Sequence, residues 1–338
     1  MTQKVNIAVI GTGRMGSVHV DNLVRHIPEA ELSAVCDLRL EVAQAVADEL
    51  GIRRVVQDYH ELLSDPAIEA VLIAASTPAH AMIVRDAAAA GKHIFCEKPL
   101  ALDLNDIDQA LAAVEKAGVK LQVGFNRRFD KSFQRVRQVV QSGEIGRPCI
   151  LHIISRDPEP PAMEFLRTSG GMFLDMSIHD FDMARYQLGE VVEVYATGEV
   201  LIAPELNEFG DLDTTLVTLK FENGAIGMID NSRQAVYGYD QRLEVLCSEG
   251  VAMANNESET TLYTGDRNGF HSARLPHFFI QRYADTYIEE VHQFLICVRE
   301  DRPLPVSGMD GRMAVVLGMA AWKSYREKRP VQIDEFNH

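Results

Sequence analysis

Through the first third of the chain, short and nearly unbroken apolar runs alternate with stretches whose apolar positions recur at helical spacing. The runs at 5–10, 31–36, 55–56, 70–75, 93–96 and 120–124 read as strands that are apolar on both faces. That is the mark of a parallel sheet covered by helices. Helix signals fall between them. Asp103 can cap a helix that ends at Gly118, Thr77-Pro78 offers an N-cap followed by proline, and Gly91 suits the position just past that helix's end. The alternation predicts a doubly wound α/β domain over 1–124.

Beyond Gly124 the pattern changes. A helix is expected at 132–141, ending near Gly143. Strand-like runs follow at 149–155, 191–201, 214–221, 225–231 and 243–247, with more alternation of apolar and polar positions. Asn223-Gly224 between two of them reads as a hairpin turn. Three more helices are expected at about 172–188, 277–299 and 309–327. The second part, 125–338, is therefore expected to be an α+β domain on an open, mainly antiparallel sheet.

Length, charge and cysteines narrow the function class. The 338 residues suffice for two domains. The formal charge of −16 argues against binding nucleic acid or an anionic membrane surface, both of which reward basic patches. Cysteines stand at 36, 96, 149, 247 and 297, an odd count without a C-x-x-C pair. Reduced thiols in a cytoplasm fit this better than a disulfide framework. The chain opens directly into a strand without a leader-like pattern, and no apolar run reaches the roughly 18 residues of a membrane span.

The first strand leads into Gly11-Thr12-Gly13-Arg14-Met15-Gly16, and a helix follows. Gly11 permits the tight turn, Gly13 lets the backbone approach a pyrophosphate, and Gly16 lets helix and strand pack closely. Asp37 closes the second strand about 20 residues further on, where a carboxylate can accept from the adenosine ribose hydroxyls and repel a 2′-phosphate. The segment is expected to bind NAD through Gly11, Gly13, Arg14, Met15 and Asp37, with Arg39 able to soften discrimination against NADP. Ser76, Thr77 and His80 follow the fourth strand and are expected to touch the cofactor, since ligands sit beyond the carboxyl ends of such strands.

Two segments carry reactive chemistry. Glu97-Lys98-Pro99 ends the fifth strand, and Pro99 restricts Lys98 to extended geometry. A lysine there can stabilise a developing alkoxide or join a proton relay. In 170–186, GGMFLDMSIHDFDMARY, a continuous helix would set Asp175, His179 and Asp182 on one face among buried apolar residues. A histidine between carboxylates suits a general base near neutral pH. Asp175 and His179 could also ligate a metal, but no third ligand stands nearby in sequence and hydride chemistry needs none, so no metal is expected.

GTGRMG, EKP, VGFNRRFD at 123–130 and the 170–186 segment together resemble the Gfo/Idh/MocA oxidoreductases, the later motifs most like the inositol 2-dehydrogenase branch. The resemblance implies an N-terminal Rossmann domain, a sheet-based second domain that pairs in homodimers or homotetramers, and Lys98, Asp175 and His179 as the catalytic set. It further implies that Asp182 binds substrate hydroxyls, that Arg127 lies close to cofactor and substrate, and that a late tyrosine, Tyr283 or else Tyr239, takes part. With Glu97 beside the cofactor and Asp157 among the hydroxyl partners, the expected reaction is NAD-dependent oxidation of a cyclic polyol such as myo-inositol. Another cyclitol or a glucose-like pyranose is the alternative substrate, and a non-catalytic dinucleotide sensor the alternative function.

Overall fold

A computed structural model of the chain describes residues 4–336; the ends of the two expected domains, 1–3 and 337–338, lie outside the described residues. Two compact units emerge, the first comprising 4–126 and 285–315 and the second 127–284 and 316–336.

In the first unit six strands, β1 (Val5–Ile10), β2 (Ala30–Cys36), β3 (Val55–Val56), β4 (Ala70–Ile73), β5 (His93–Cys96) and β6 (Leu121–Val123), form one sheet in the order β3-β2-β1-β4-β5-β6. Every pairing is parallel. The order reverses between β1 and β4, which opens a crevice at the carboxyl ends of those strands. The strands are buried almost throughout, which accounts for their unbroken apolar runs. Asp103 caps helix Leu104–Ala117 as expected, its carboxylate accepting from the Asn105 and Asp106 amides, and Gly118 ends that helix in left-handed conformation. Val291, Phe294 and Leu295, from helix Ala284–Arg299, complete this core.

The second unit is built on a seven-stranded sheet of β7 (Pro148–Arg156), β8 (Val191–Glu199), β9 (Thr214–Phe221), β10 (Ile226–Ser232), β11 (Asp240–Cys247), β12 (Gly250–Ala254) and the short β15 (Val331–Gln332). Its order is β12-β11-β7-β10-β9-β8-β15, antiparallel except for the β7–β10 pair. An exposed hairpin of β13 (Tyr263–Asp266) and β14 (Gly269–Ser272) forms a separate two-stranded sheet. Asn223-Gly224 makes the expected hairpin between β9 and β10, with Gly224 at φ 86°.

Two helices depart from the sequence pattern. The expected helix at 277–299 breaks at Tyr283 into Phe279–Arg282 and Ala284–Arg299, where the chain passes from the second unit to the first. The expected helix at 172–188 opens with a π-helical turn, Met172–Met176, before the α-helix Ile178–Leu188. Gly171 starts that turn at φ 76°, where a Cβ would stand 2.6 Å from Asp211 Oδ1 and 2.9 Å from the Trp322 ring.

Candidate functional site

The first unit carries a nucleotide cradle. Gly11 follows β1 at φ 94°, and a Cβ there would collide with the Ala74–Ala75 backbone at 2.5 Å. At Gly16 a Cβ would lie 2.0 Å from the Gly11 carbonyl oxygen. Gly13 differs: a Cβ would meet nothing within 4 Å, so the space in front of its backbone is open. Gly13 also stands at the N-cap of helix Arg14–Arg25 without a side-chain cap, which leaves the first amides of the helix available to an anion. Asp37, half-buried past β2, accepts from the Thr12 amide at 2.8 Å, the Thr12 hydroxyl at 3.1 Å and the Arg39 amide at 2.9 Å. A carboxylate has room for further donors beyond these. The open cradle, the helix terminus and the carboxylate fit an adenine dinucleotide.

Two neighbouring strand ends complete that edge. After β4, Ser76 is exposed and Thr77 half-buried. His80 is buried, with Nδ1 2.8 Å from the Pro99 carbonyl oxygen and Nε2 2.9 Å from that of Ala75. It therefore ties the loop after β4 to the loop after β5. Lys98 is half-buried and followed by a cis Lys98–Pro99 peptide. Glu97 is buried, pairs with His19 Nε2 at 2.7 Å, and accepts from the Lys98 amide at 3.2 Å. Arg14 and Met15 occupy the helix start, exposed and half-buried respectively.

The second unit carries a polar, largely buried cluster. Along the 171–184 segment only Asp175 and His179 escape full burial. Asp211 Oδ1 accepts from the Met172 amide at 2.8 Å and fixes the start of the π-helical turn. The fully buried Arg233 guanidinium stands 3.6 Å from both Asp175 Oδ2 and Asp211 Oδ2. Arg127 reaches Asp180 Oδ1 at 2.5 Å and Ser155 Oγ and Tyr239 Oη at 3.4 Å, and lies over the Tyr283 ring at 5.7 Å. Asn231 donates to Asp180 at 2.8 Å.

Burial dominates the electrostatics here. It lifts the Asp157 carboxyl to about 6, with Arg233 and Arg127 opposing the rise and Asp175 and Asp180 adding to it. Burial likewise raises Asp180 against the pull of Arg127, and pushes the Tyr283 phenol up to about 12. Arg127 is fully buried, which opposes its charge, yet the surrounding tyrosines and carboxylates hold that charge firmly in place.

The sequence reading set Asp182 on the face of Asp175 and His179; the structure turns it inward. It is 1% exposed, and Arg128 grips its oxygens at 2.6–3.1 Å. Asp180, Arg233 and Asn231 are additions that the sequence reading lacked. For Asn231 and for Arg233, just past β10, the signal lies in strand register; Asp180 stands on helix Ile178–Leu188 and has no such signal. The inward-facing positions of three adjacent strands turn from apolar to polar at one end: Ile153 to Ser155 on β7, Ile229 to Asn231 on β10, and Leu243 to Gln241 on β11. Ser155 pairs with both Asn231 and Gln241 across the sheet, so these residues form one polar row.

Comparison with known proteins agrees with this geometry. Residues 5–125 match the oxidoreductase family with an NAD-binding Rossmann fold, and residues 133–253 match the GFO/IDH/MocA C-terminal domain. The chain is 48% identical over 332 residues to a myo-inositol 2-dehydrogenase of Thermotoga maritima, covering 98% of this chain and 99% of that protein. It is 38% identical to the NAD(+) scyllo-inositol 2-dehydrogenase of Bacillus subtilis, over 99% of this chain and 98% of the relative. Its fold matches the myo-inositol dehydrogenase of Lactobacillus casei, crystallised with NAD(H) and myo-inositol, at a TM-score of 0.89 and 28% identity, over 98% and 97% of the two chains.

Proposed function

The chain belongs to the Gfo/Idh/MocA oxidoreductase family, and from that premise we propose that it oxidises a ring hydroxyl of myo-inositol to the ketone 2-keto-myo-inositol with NAD as acceptor. The observation that carries this reading is the pair Asp175 and His179, half-exposed on an otherwise buried segment of a unit whose strands end in polar rows. A cyclic polyol presents several hydroxyls at once and needs several fixed donors and acceptors. Arg127, Asp157, Tyr239 and Tyr283 offer them.

In this reading His179 takes the hydroxyl proton and Asp175 supports the charge that the imidazole gains. Lys98 steadies the oxygen as it becomes alkoxide-like. NAD, when bound, supplies the acceptor for the hydride leaving the ring carbon, so alcohol and NAD become ketone, NADH and a proton. Gly13 and the helix terminus would hold the pyrophosphate, and Asp37 would take the adenosine ribose and disfavour a 2′-phosphate. The Ser76–Thr77 loop lines the same edge. Asp182 is engaged with Arg128, so we assign it to holding the helix rather than to the substrate's hydroxyls.

We also propose that the protein is a homotetramer, or at least a homodimer, through the outer face of the second unit's sheet. Val251, Leu246, Ile150 and Ile226 are cross-strand neighbours on β12, β11, β7 and β10, each 41–50% exposed. A continuous apolar row of this kind marks an association surface. Among the described residues no helix is long and apolar enough to cross a membrane. The five free thiols suit a reducing compartment, and we place the protein in the cytoplasm.

The test is NADH formation by the purified protein with NAD and a panel of inositols and sugars. The highest kcat/KM is expected with myo-inositol, and His179→Ala or Lys98→Ala should each lower kcat on the order of 10²–10⁴-fold. A preference for scyllo-inositol would change the epimer. Turnover of a pyranose alone, or no NADH with any polyol, would refute the proposal.

A further inference from the structure

His19, Glu97 and Glu290 meet in the core of the first unit. They come from helix Arg14–Arg25, from the residue after β5, and from helix Ala284–Arg299. Their side-chain ligand atoms lie within 4.8 Å of one another. His19 and Glu290 are completely buried and Glu97 is 8% exposed. The Phe95 and Tyr287 rings stand edge-on to His19 at 5.5 and 6.0 Å.

The two carboxyls are served unequally. Glu97 has the His19 ring at 2.7 Å and the Lys98 amide at 3.2 Å. Neither side-chain oxygen of Glu290 has a hydrogen-bond partner among the described residues. Two neighbouring carboxylates in a dry interior cannot both stay ionised, and the proton goes to the one with no compensating donor. Burial, followed by the charge of Glu97, drives the Glu290 carboxyl well above the carboxylate range. Burial works the same way on Glu97, yet His19, Lys98 and His80 hold its carboxyl below its ordinary value.

We propose that Glu290 is a permanently protonated, neutral acid that lets Glu97 remain an ion, and that Glu97, His19 and Glu290 together act as positioning residues for Lys98. Glu97 holds the Lys98 peptide from one side. Its carboxylate also packs on Gly124, where a Cβ would stand only 3.0 Å from Oε2, so it has little room to shift. A second negative charge at Glu290 would push against Glu97 and loosen that hold. The part of the inference that concerns catalysis rests on the role proposed above for Lys98; the protonation of Glu290 does not.

Two measurements test it. Infrared spectra of the native protein minus Glu290→Gln at neutral pH should show one carboxylic-acid C=O band, which shifts in heavy water. A carboxylate band there instead, or a divalent cation bound at about one per chain and lost in Glu290→Gln, would overturn the proposal. In kinetics, Glu97→Gln should lower kcat on the order of 10²-fold with little change in the KM for the polyol, as expected when a reacting group is misplaced. Glu290→Ala should also lower kcat, and Glu290→Gln, uncharged and of the same shape, should restore it. Failure of Gln to restore what Ala loses would count against a neutral Glu290. If no polyol is turned over, the infrared result still decides the state of Glu290.

Discussion

Asp157 shows how one residue's burial becomes a property that can be measured. Its carboxyl rises from 3.8 to about 6 in the folded chain because burial disfavours the ion. Between these values the folded state binds more protons than the unfolded one, so this residue's contribution to stability falls as pH rises through the window. Asp157→Asn, neutral at every pH, should melt a few degrees above the native protein beyond about pH 6 and coincide with it near pH 4. The same difference in melting temperature at both ends would contradict the assignment. Arg233 could not have been singled out from its own neighbourhood in sequence. An arginine two residues past a run of alternation is usually solvated, and only pairing across the sheet reveals that position 233 continues the inward row of Ile229 and Asn231. Asp182 was misplaced for a related reason: helical spacing fixes a face but not whether an arginine from another element claims it.

At the scale of the element, the three glycines of the first turn separate into two kinds. Gly16→Ala would force a Cβ to 2.0 Å from the Gly11 oxygen and should lower the melting temperature even without cofactor. Gly13 has ordinary dihedral angles, φ −65° and ψ −162°, and open space around it. Gly13→Ala should therefore fold like the native chain and weaken NAD binding, as read by thermal melts alongside an NAD titration. Equal losses of stability in both variants would contradict the cradle. The six parallel strands were legible because their two-sided burial writes unbroken apolar runs, and the Asp103 and Gly118 caps because capping chemistry is local. The π-helical turn at Met172–Met176 was not: Gly171 at its start lies at φ 76° against Asp211 and Trp322, partners 40 and more residues away in sequence that no local pattern announces. The hairpin of β13 and β14 was missed because its exposed residues carry no burial pattern.

For the whole molecule, the return of 285–315 to the first unit illustrates what a pattern read along the chain leaves open. Val291, Phe294 and Leu295 mark an apolar helix face but do not say which core it fills. The outer face of the second unit's sheet makes its own prediction. Leu246→Glu paired with Ile226→Lys should lower the molar mass measured by light scattering from that of an oligomer to that of one chain of 37.6 kDa, with the fold retained by circular dichroism. An unchanged mass would place any contact elsewhere. The central claim is that this chain moves a hydride from an inositol ring carbon to NAD. The most direct measurement uses myo-inositol deuterated at every ring carbon, with mass spectrometry of the reduced nicotinamide. One deuterium per NADH is the expected result; NADH free of deuterium, or ketone formed without NADH, would contradict the account.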